Sequence, residues 1–141
     1  MGAVREPELY RCAAAINAVS DLGDMYSRYS GLRDGRSAAM TYWERSMGIE
    51  DLRSPRETFD RASPAQHAEQ VLAAVLLIHG EDDSVVPIWQ SRIMERALRD
   101  AGKTVQLVEL ENEDTWLSEG VTRQQTLEAL EPFLAQHLGG R

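Results

Sequence analysis

The chain has 141 residues, 43% of them apolar, and a formal net charge of −8. That is the length of one domain with enough apolar content for a core, which excludes a disordered chain. The acidic balance repels phosphate backbones and argues against a nucleic-acid partner, and no apolar run approaches the ~20 residues that a membrane helix needs.

The N-terminal MGAVRE has neither the basic start and apolar middle of a signal peptide nor the Ser/Thr of a myristoylation signal. A single cysteine, Cys12, excludes an internal disulfide and fits a reducing compartment, so a cytoplasmic location is expected. Cys12 sits in the apolar run YRCAAAINAV and is expected to be a buried small hydrophobe rather than a nucleophile. Residues 10–17, YRCAAAIN, suit either a buried strand or the start of a helix. Residues 21–29 suit a short helix.

Residues 37–48, SAAMTYWERSMG, predict a clearer helix, with Ser37 as its cap and Gly48 in the left-handed position after its end. Met40, Trp43 and Met47 would share one face. Ser54-Pro55 then starts another helix, and Ser63-Pro64 ends it and caps a further short one through Gln70.

Residues 71–78, VLAAVLLI, are apolar on both faces, which predicts a central parallel strand covered on both sides. Residues 88–102 predict the strongest helix, with a stripe of Trp89, Ile93, Met94, Ala97, Leu98 and Ala101, ended by Gly102. Residues 104–110, TVQLVEL, predict the next strand. A last amphipathic helix is expected over residues 122–138, kinked or delayed by Pro132. Strand, helix, strand, helix with short connections calls for a parallel sheet with right-handed crossovers. Ligands and chemistry in such sheets lie beyond the carboxyl ends of the strands. Two loops come together there: HGEDDSVVP, residues 79–87, and ENEDTWLSEG, residues 111–120.

The HGxxDxxVP pattern at 79–87, with QSxxM, the later AGK and the EDxWLS pattern at 113–118, resembles the C-terminal part of the catalytic domain of the prolyl oligopeptidase family. These are serine peptidases of the α/β-hydrolase kind. MGAVREPELYRCAAAINAVSDL extends the resemblance upstream, so it covers nearly the whole chain. It implies a partial α/β-hydrolase sheet of about three strands with helices on both faces, the whole of 1–141 being the C-terminal portion of such a domain. It also implies cleavage of short peptides, often after proline or small residues, by a Ser-His-Asp triad in the chain order Ser, Asp, His. The triad acid falls on Asp83 by this resemblance. The base histidine falls on Thr115, whose hydroxyl has no accessible pKa near neutrality and cannot be a general base.

No other residue fills the gap. His79 lies four residues before Asp83, begins the turn, and suits packing or hydrogen bonding; His67 is expected on a surface helix and His137 near the far end of the last helix. No G-x-S-x-G occurs in the 141 residues, and Ser20, Ser84, Ser91 and Ser118 are expected to be turn, cap or surface residues. The family's nucleophile elbow would lie just before Met1. The expectation is a fragment or degenerate member that does not hydrolyse peptides alone, since losing either member of a triad removes nearly all the chemistry. A different class of function is a binding or assembly module that uses the acidic loops and tryptophans without chemistry.

No cofactor or metal is expected. Glu81, Asp82, Asp83, Glu111, Glu113 and Asp114 are the ligand type calcium prefers, but their spacing matches no calcium loop. Trp89 and Trp116 could stack a ligand; the plainer expectation is that Trp89 starts a buried helix face and Trp116 packs beneath its loop. If residues 11–17 form a strand, its apolar edge would lack a neighbour. Such edges invite pairing, so self-association or pairing with a missing N-terminal half is expected.

Overall fold

The structure, a computed structural model, describes residues 1–30, 42, 44–46, 48 and 56–139. Three parallel strands form one sheet: β1 (Cys12–Ile16), β2 (Ala74–Gly80) and β3 (Val105–Leu110), in that spatial order. The open question over residues 10–17 resolves as a strand: Cys12 pairs with Ala74 and Ile16 with Ile78. On the other side of β2, Val75 pairs with Val105 and Gly80 with Leu110.

β2 is the centre of the core. All seven of its residues are buried, and its side chains alternate between two apolar clusters. Val75 and Leu77 face Met94 and Leu98 of the helix Trp89–Asp100. Ala74, Leu76 and Ile78 face Phe133 of the helix Gly120–Leu138. Helices therefore cover both faces, which is why a strand apolar on both sides is stable here. Leu76 and Ile78 are fully enclosed, and each such side chain contributes about 2 kcal/mol of burial.

We number the helices α1 (Gly2–Arg5), α2 (Leu22–Ser30), α3 (Arg56–Ala62), α4 (Trp89–Asp100) and α5 (Gly120–Leu138). A 3₁₀ segment, Pro64–Gln70, follows Ser63, but the Ser63 side chain does not cap it as expected, because its hydroxyl accepts Leu22 N–H and donates to the Phe59 carbonyl. Asp21 starts α2: its Oδ1 accepts the Asp24 N–H at 2.9 Å, satisfying a donor that has no partner within the helix. Gly102 ends α4 with φ +69, a conformation that side chains resist.

Several boundaries move. β2 starts three residues later than expected and runs on through His79 and Gly80, because both pair with β3. His79 is thus a strand residue, not the start of the turn. α5 begins at Gly120 and passes through Pro132, so the proline neither delays its start nor ends it. Pro132 is exposed there. Of the helix expected over 37–48, Tyr42, Glu44, Arg45 and Ser46 are helical and Gly48 has φ +64, while Ser37, Met40, Trp43 and Met47 lie outside the described residues. Ser54 and Pro55 lie outside them too.

Cys12 is free and half-buried at the margin of the Phe133 cluster, less enclosed than expected because β1 is the outer strand. Ala14 and Ile16, on the same face of β1, are exposed. No helix among the described residues is long and apolar enough to cross a membrane.

Candidate functional site at the strand ends

The carboxyl ends of all three strands converge on one polar cluster. From β1 comes Asn17, from β2 the segment Gly80 to Ile88, and from β3 the segment that includes Glu113 and Thr115. Their backbones meet closely. Glu81 N–H donates to the Leu110 carbonyl and Asp82 N–H to the Glu113 carbonyl, each at 3.0 Å. A Cβ on Gly80 would lie 2.4 Å from the Glu113 carbonyl oxygen, so only glycine allows the two segments to touch.

Asp83 is buried. Its Oδ1 accepts the N–H groups of Val85 at 2.8 Å and Val86 at 2.7 Å, which closes the turn around it. The same oxygen accepts the Thr115 hydroxyl at 2.5 Å. The two positions singled out from sequence are therefore in direct contact. Oδ2 has no hydrogen-bond partner among the described residues. A buried carboxylate oxygen with no donor is uncommon and costly.

His79 lies 3.6 Å from that oxygen, measured from Nε2, but is committed elsewhere. Nε2 faces the Val86 carbonyl at 2.7 Å and Nδ1 faces the Ser91 hydroxyl at 2.7 Å. A carbonyl only accepts, so Nε2 carries the proton and Nδ1 accepts from Ser91. Burial lowers the His79 pKa, against the opposing pull of the Val86 carbonyl and Asp83. A neutral, enclosed ring with both nitrogens occupied has the packing and hydrogen-bonding part expected of it. His67 Nε2 contacts the Asp60 carbonyl, and His137 lies against the Phe133 ring in the last turn of α5.

Glu113 is as buried as Asp83 but fully used. Oε1 accepts the N–H groups of Asp114 and Ser118 at 2.9 and 2.8 Å; Oε2 accepts Glu119 N–H at 3.2 Å and the Thr122 hydroxyl. Burial pushes its carboxyl up, but the Thr122 hydroxyl and the three backbone donors outweigh this and hold it at about 2. Glu113 thus ties the loop after β3 to the start of α5.

The remaining acids disperse. Glu81, Asp82 and Glu111 are exposed, and Asp114 accepts Trp116 N–H and the Ser118 hydroxyl within its own turn. Among the described residues no three His, Cys, Asp or Glu side chains are grouped to hold a metal ion.

Two expectations about packing fail. Trp116 is 78% exposed instead of packed beneath its loop, because Leu117 takes the left-handed conformation (φ +52) and packs inward against the Phe133 cluster. Ser20 and Ser91 are buried; Ser91 serves His79, and Ser20 N–H donates to Gln90 Oε1 at 2.9 Å. Ser84 and Ser118 are exposed loop residues. Trp89 is half-buried at the start of α4, with its Nε1 donating to Asp24 at 2.6 Å and the Arg28 guanidinium 4.3 Å from its ring centre.

The family model described as the prolyl oligopeptidase family matches residues 1–141. The chain belongs to that family. Solved structures agree in fold. A puromycin-hydrolyzing peptidase of Mycobacterium tuberculosis is 25% identical with a TM-score of 0.81, over 99% of this chain and 20% of that one. A puromycin hydrolase is 22% identical with a TM-score of 0.80, over 99% of this chain and 20% of its own. An acylaminoacyl peptidase of Pyrococcus horikoshii is 21% identical with a TM-score of 0.78, over 97% of this chain and 22% of its own. The chain spans about a fifth of the length of these structures. No curated protein matches it. The α/β-hydrolase architecture expected from the loop motifs is the one these neighbours share.

Asn17 was missed by sequence reasoning. It takes φ +48, a conformation that asparagine tolerates better than most residues, and it touches both loops. The available signal was an asparagine directly after an apolar run, with no glycine beside it to make the turn.

Proposed function

We propose that this chain is the C-terminal portion of a serine-peptidase catalytic domain, contributing the triad acid and the loop of the base but no base. Asp83 is the acid and Thr115 stands in the base position. The observation that carries this reading is the pairing of the Thr115 hydroxyl with Asp83 Oδ1, beside an Oδ2 that has no donor among the described residues. In a triad, an imidazole N–H supplies that donor and the ring then takes the proton of the serine. A threonine can donate to Asp83 but cannot accept the serine's proton near neutral pH. No serine in these 141 residues stands in a G-x-S-x-G turn. Peptides are the substrates that the family suggests for the complete domain.

Pairing with an N-terminal half is supported by β1, which among the described residues pairs only with β2 and leaves Ile16 41% exposed. A groove of about 150 Å³ beside it is lined mainly by apolar side chains, including Ala13, Ala15, Val4 and Met94. A second reading, a non-catalytic peptide-binding module, is favoured by one observation: Trp116 stands exposed next to Thr115. Exposed aromatic rings of this kind anchor partners.

The test treats the chain with a fluorophosphonate probe, alone and as Thr115→His fused behind an in-frame segment carrying a G-x-S-x-G elbow. The expected result is no labelling of the chain alone and labelling of the fused Thr115→His protein, with much weaker labelling of the fused protein that keeps Thr115. Labelling of any serine in the chain alone would overturn the inactive reading. Peptide titration by calorimetry addresses the binding module, and flat traces would remove it. Self-association would be removed by a sharp monomer peak in light scattering at micromolar concentration.

A further inference from the structure

Among the described residues, Asn17 is the one side chain that joins all three strand ends. Its own N–H donates to the Ile78 carbonyl at 2.9 Å, its Oδ1 accepts Gly80 N–H at 3.0 Å, and its Nδ2 donates to the Thr115 carbonyl at 3.1 Å. The orientation of the amide is fixed, because a backbone N–H can only donate and a carbonyl can only accept. Aspartate has no donor for Thr115, and leucine has neither group. The backbone carbonyl of Thr115 is thereby pinned to β1 and β2, whereas its hydroxyl reaches Asp83.

We propose that Asn17 is a positioning residue for the triad: it sets the backbone at position 115 so that a side chain there meets the carboxylate at position 83. This rests on the reading of Thr115 as the base position. The physical need is plain. A base works only within a few tenths of an ångström of its productive place, and loop residues hold such places poorly unless a second side chain fixes them. Gly80 allows the two loops to touch, and Glu113 closes the far side of its own loop on α5. Asn17 supplies the tie from β1. The same amide orders the turn after β2 through Gly80 N–H, so acid and base positions share one reference point.

The experiment reads the titration of an introduced imidazole by NMR, without any need for activity. In Thr115→His the new ring should titrate above the ordinary value of ~6.5, because a buried carboxylate faces it. Adding Asn17→Gly, which keeps the left-handed backbone and removes both side-chain bonds, should lower that value by about one pH unit as the ring leaves Asp83. Ser63→Ala is the control. It also removes two bonds, one part-buried from Leu22 N–H and one buried to the Phe59 carbonyl, neither of which involves Asn17, Asp83 or Thr115. It should leave the imidazole unchanged.

A value raised equally with and without Asn17 overturns the positioning proposal and leaves the base position standing. An equal fall with Ser63→Ala also overturns it, since loss of stability would then be the cause. A value that is not raised in Thr115→His itself overturns both readings. If Asn17→Gly does not fold, Asn17→Asp in the otherwise unchanged chain keeps the acceptor for Gly80 and removes the donor. Hydrogen exchange at Trp116 and Ser118 N–H should then quicken by about ten-fold or more while Gly80 stays protected. Unchanged exchange at those two groups overturns the proposal.

Discussion

The loops that leave β2 and β3 each bury one carboxylate. Around Glu113, both oxygens are filled by three backbone N–H groups and the Thr122 hydroxyl. Around Asp83, three donors crowd onto Oδ1 and none among the described residues reaches Oδ2. Both are acids off the ends of strands, and by residue type they look alike. What separates them is completeness. A carboxylate whose lone pairs are all used by its own loop is part of the scaffold. One that keeps a buried oxygen unused carries a cost that the fold itself does not explain, and such costs collect at functional sites.

The largest way to break the comparison is at the point where the loops touch. Gly80→Ala places a methyl against the Glu113 carbonyl, with that of Asp114 also within 2.9 Å. Backbone atoms cannot rotate away as a side chain would. The two segments must part, disturbing Asp82 N–H on Glu113 and the Asn17 bond to Gly80 N–H. A loss of about 3 kcal/mol is expected from urea unfolding. A loss below about 0.5 kcal/mol would show that the loops are not in contact and that the contrast between the two acids is not real.

Glu113 sharpens the comparison through pH. Its folded value of about 2 lies below the usual 4.5. Its contribution to stability is therefore fully present above about pH 4.5 and is lost as pH falls toward 2. His79 acts in the same direction at a higher pH. Burial holds its folded value below 6.5, so stability begins to decline once the unfolded chain protonates, as pH falls below that value. In Glu113→Gln the thermal midpoint should be lower at neutral pH and the decline between pH 4.5 and 2 should flatten, with the His79 limb intact. An unchanged slope in that acid window would show that Glu113 is not held by its four donors.

Much of this architecture was legible in the sequence. A strand apolar on both faces has one stable environment, a parallel sheet between helices, and residues 71–78 therefore placed β2 to within three residues at either end. His-Gly followed by acids placed the polar turn, and the resemblance to the prolyl oligopeptidase family singled out Asp83 and Thr115, which are in contact. Three things were not legible. The strand character of residues 12–16 depends on β2, sixty residues away, because a run of alanines has no local preference strong enough to decide. The exposure of Trp116 depends on Leu117 taking φ +52, which no rule for leucine suggests. The different parts played by Glu113 and Asp83 depend on which backbone N–H groups each oxygen meets, a matter of loop geometry and not of residue type.

Asp83→Asn is the smallest expected effect and the most informative. The substitution keeps an oxygen at Oδ1 for Val85 N–H, Val86 N–H and the Thr115 hydroxyl. It replaces the oxygen that has no donor by an amide nitrogen. The three remaining bonds weaken, because a neutral oxygen accepts less strongly than a charged one. Against that, a charge no longer has to be buried, while the unsatisfied acceptor is exchanged for amide N–H donors that face His79 Nε2–H, which cannot accept, so no gain comes from that side. The two sides nearly cancel, so a change of less than about 1 kcal/mol in either direction is expected from urea midpoints at neutral pH, with the slope unchanged. A loss of about 3 kcal/mol or more would make Asp83 a scaffold acid like Glu113. A near-neutral result would mean that the fold does not need the charge. The proposed role of Asp83 as triad acid, with Thr115 in the position of the base, would then stand.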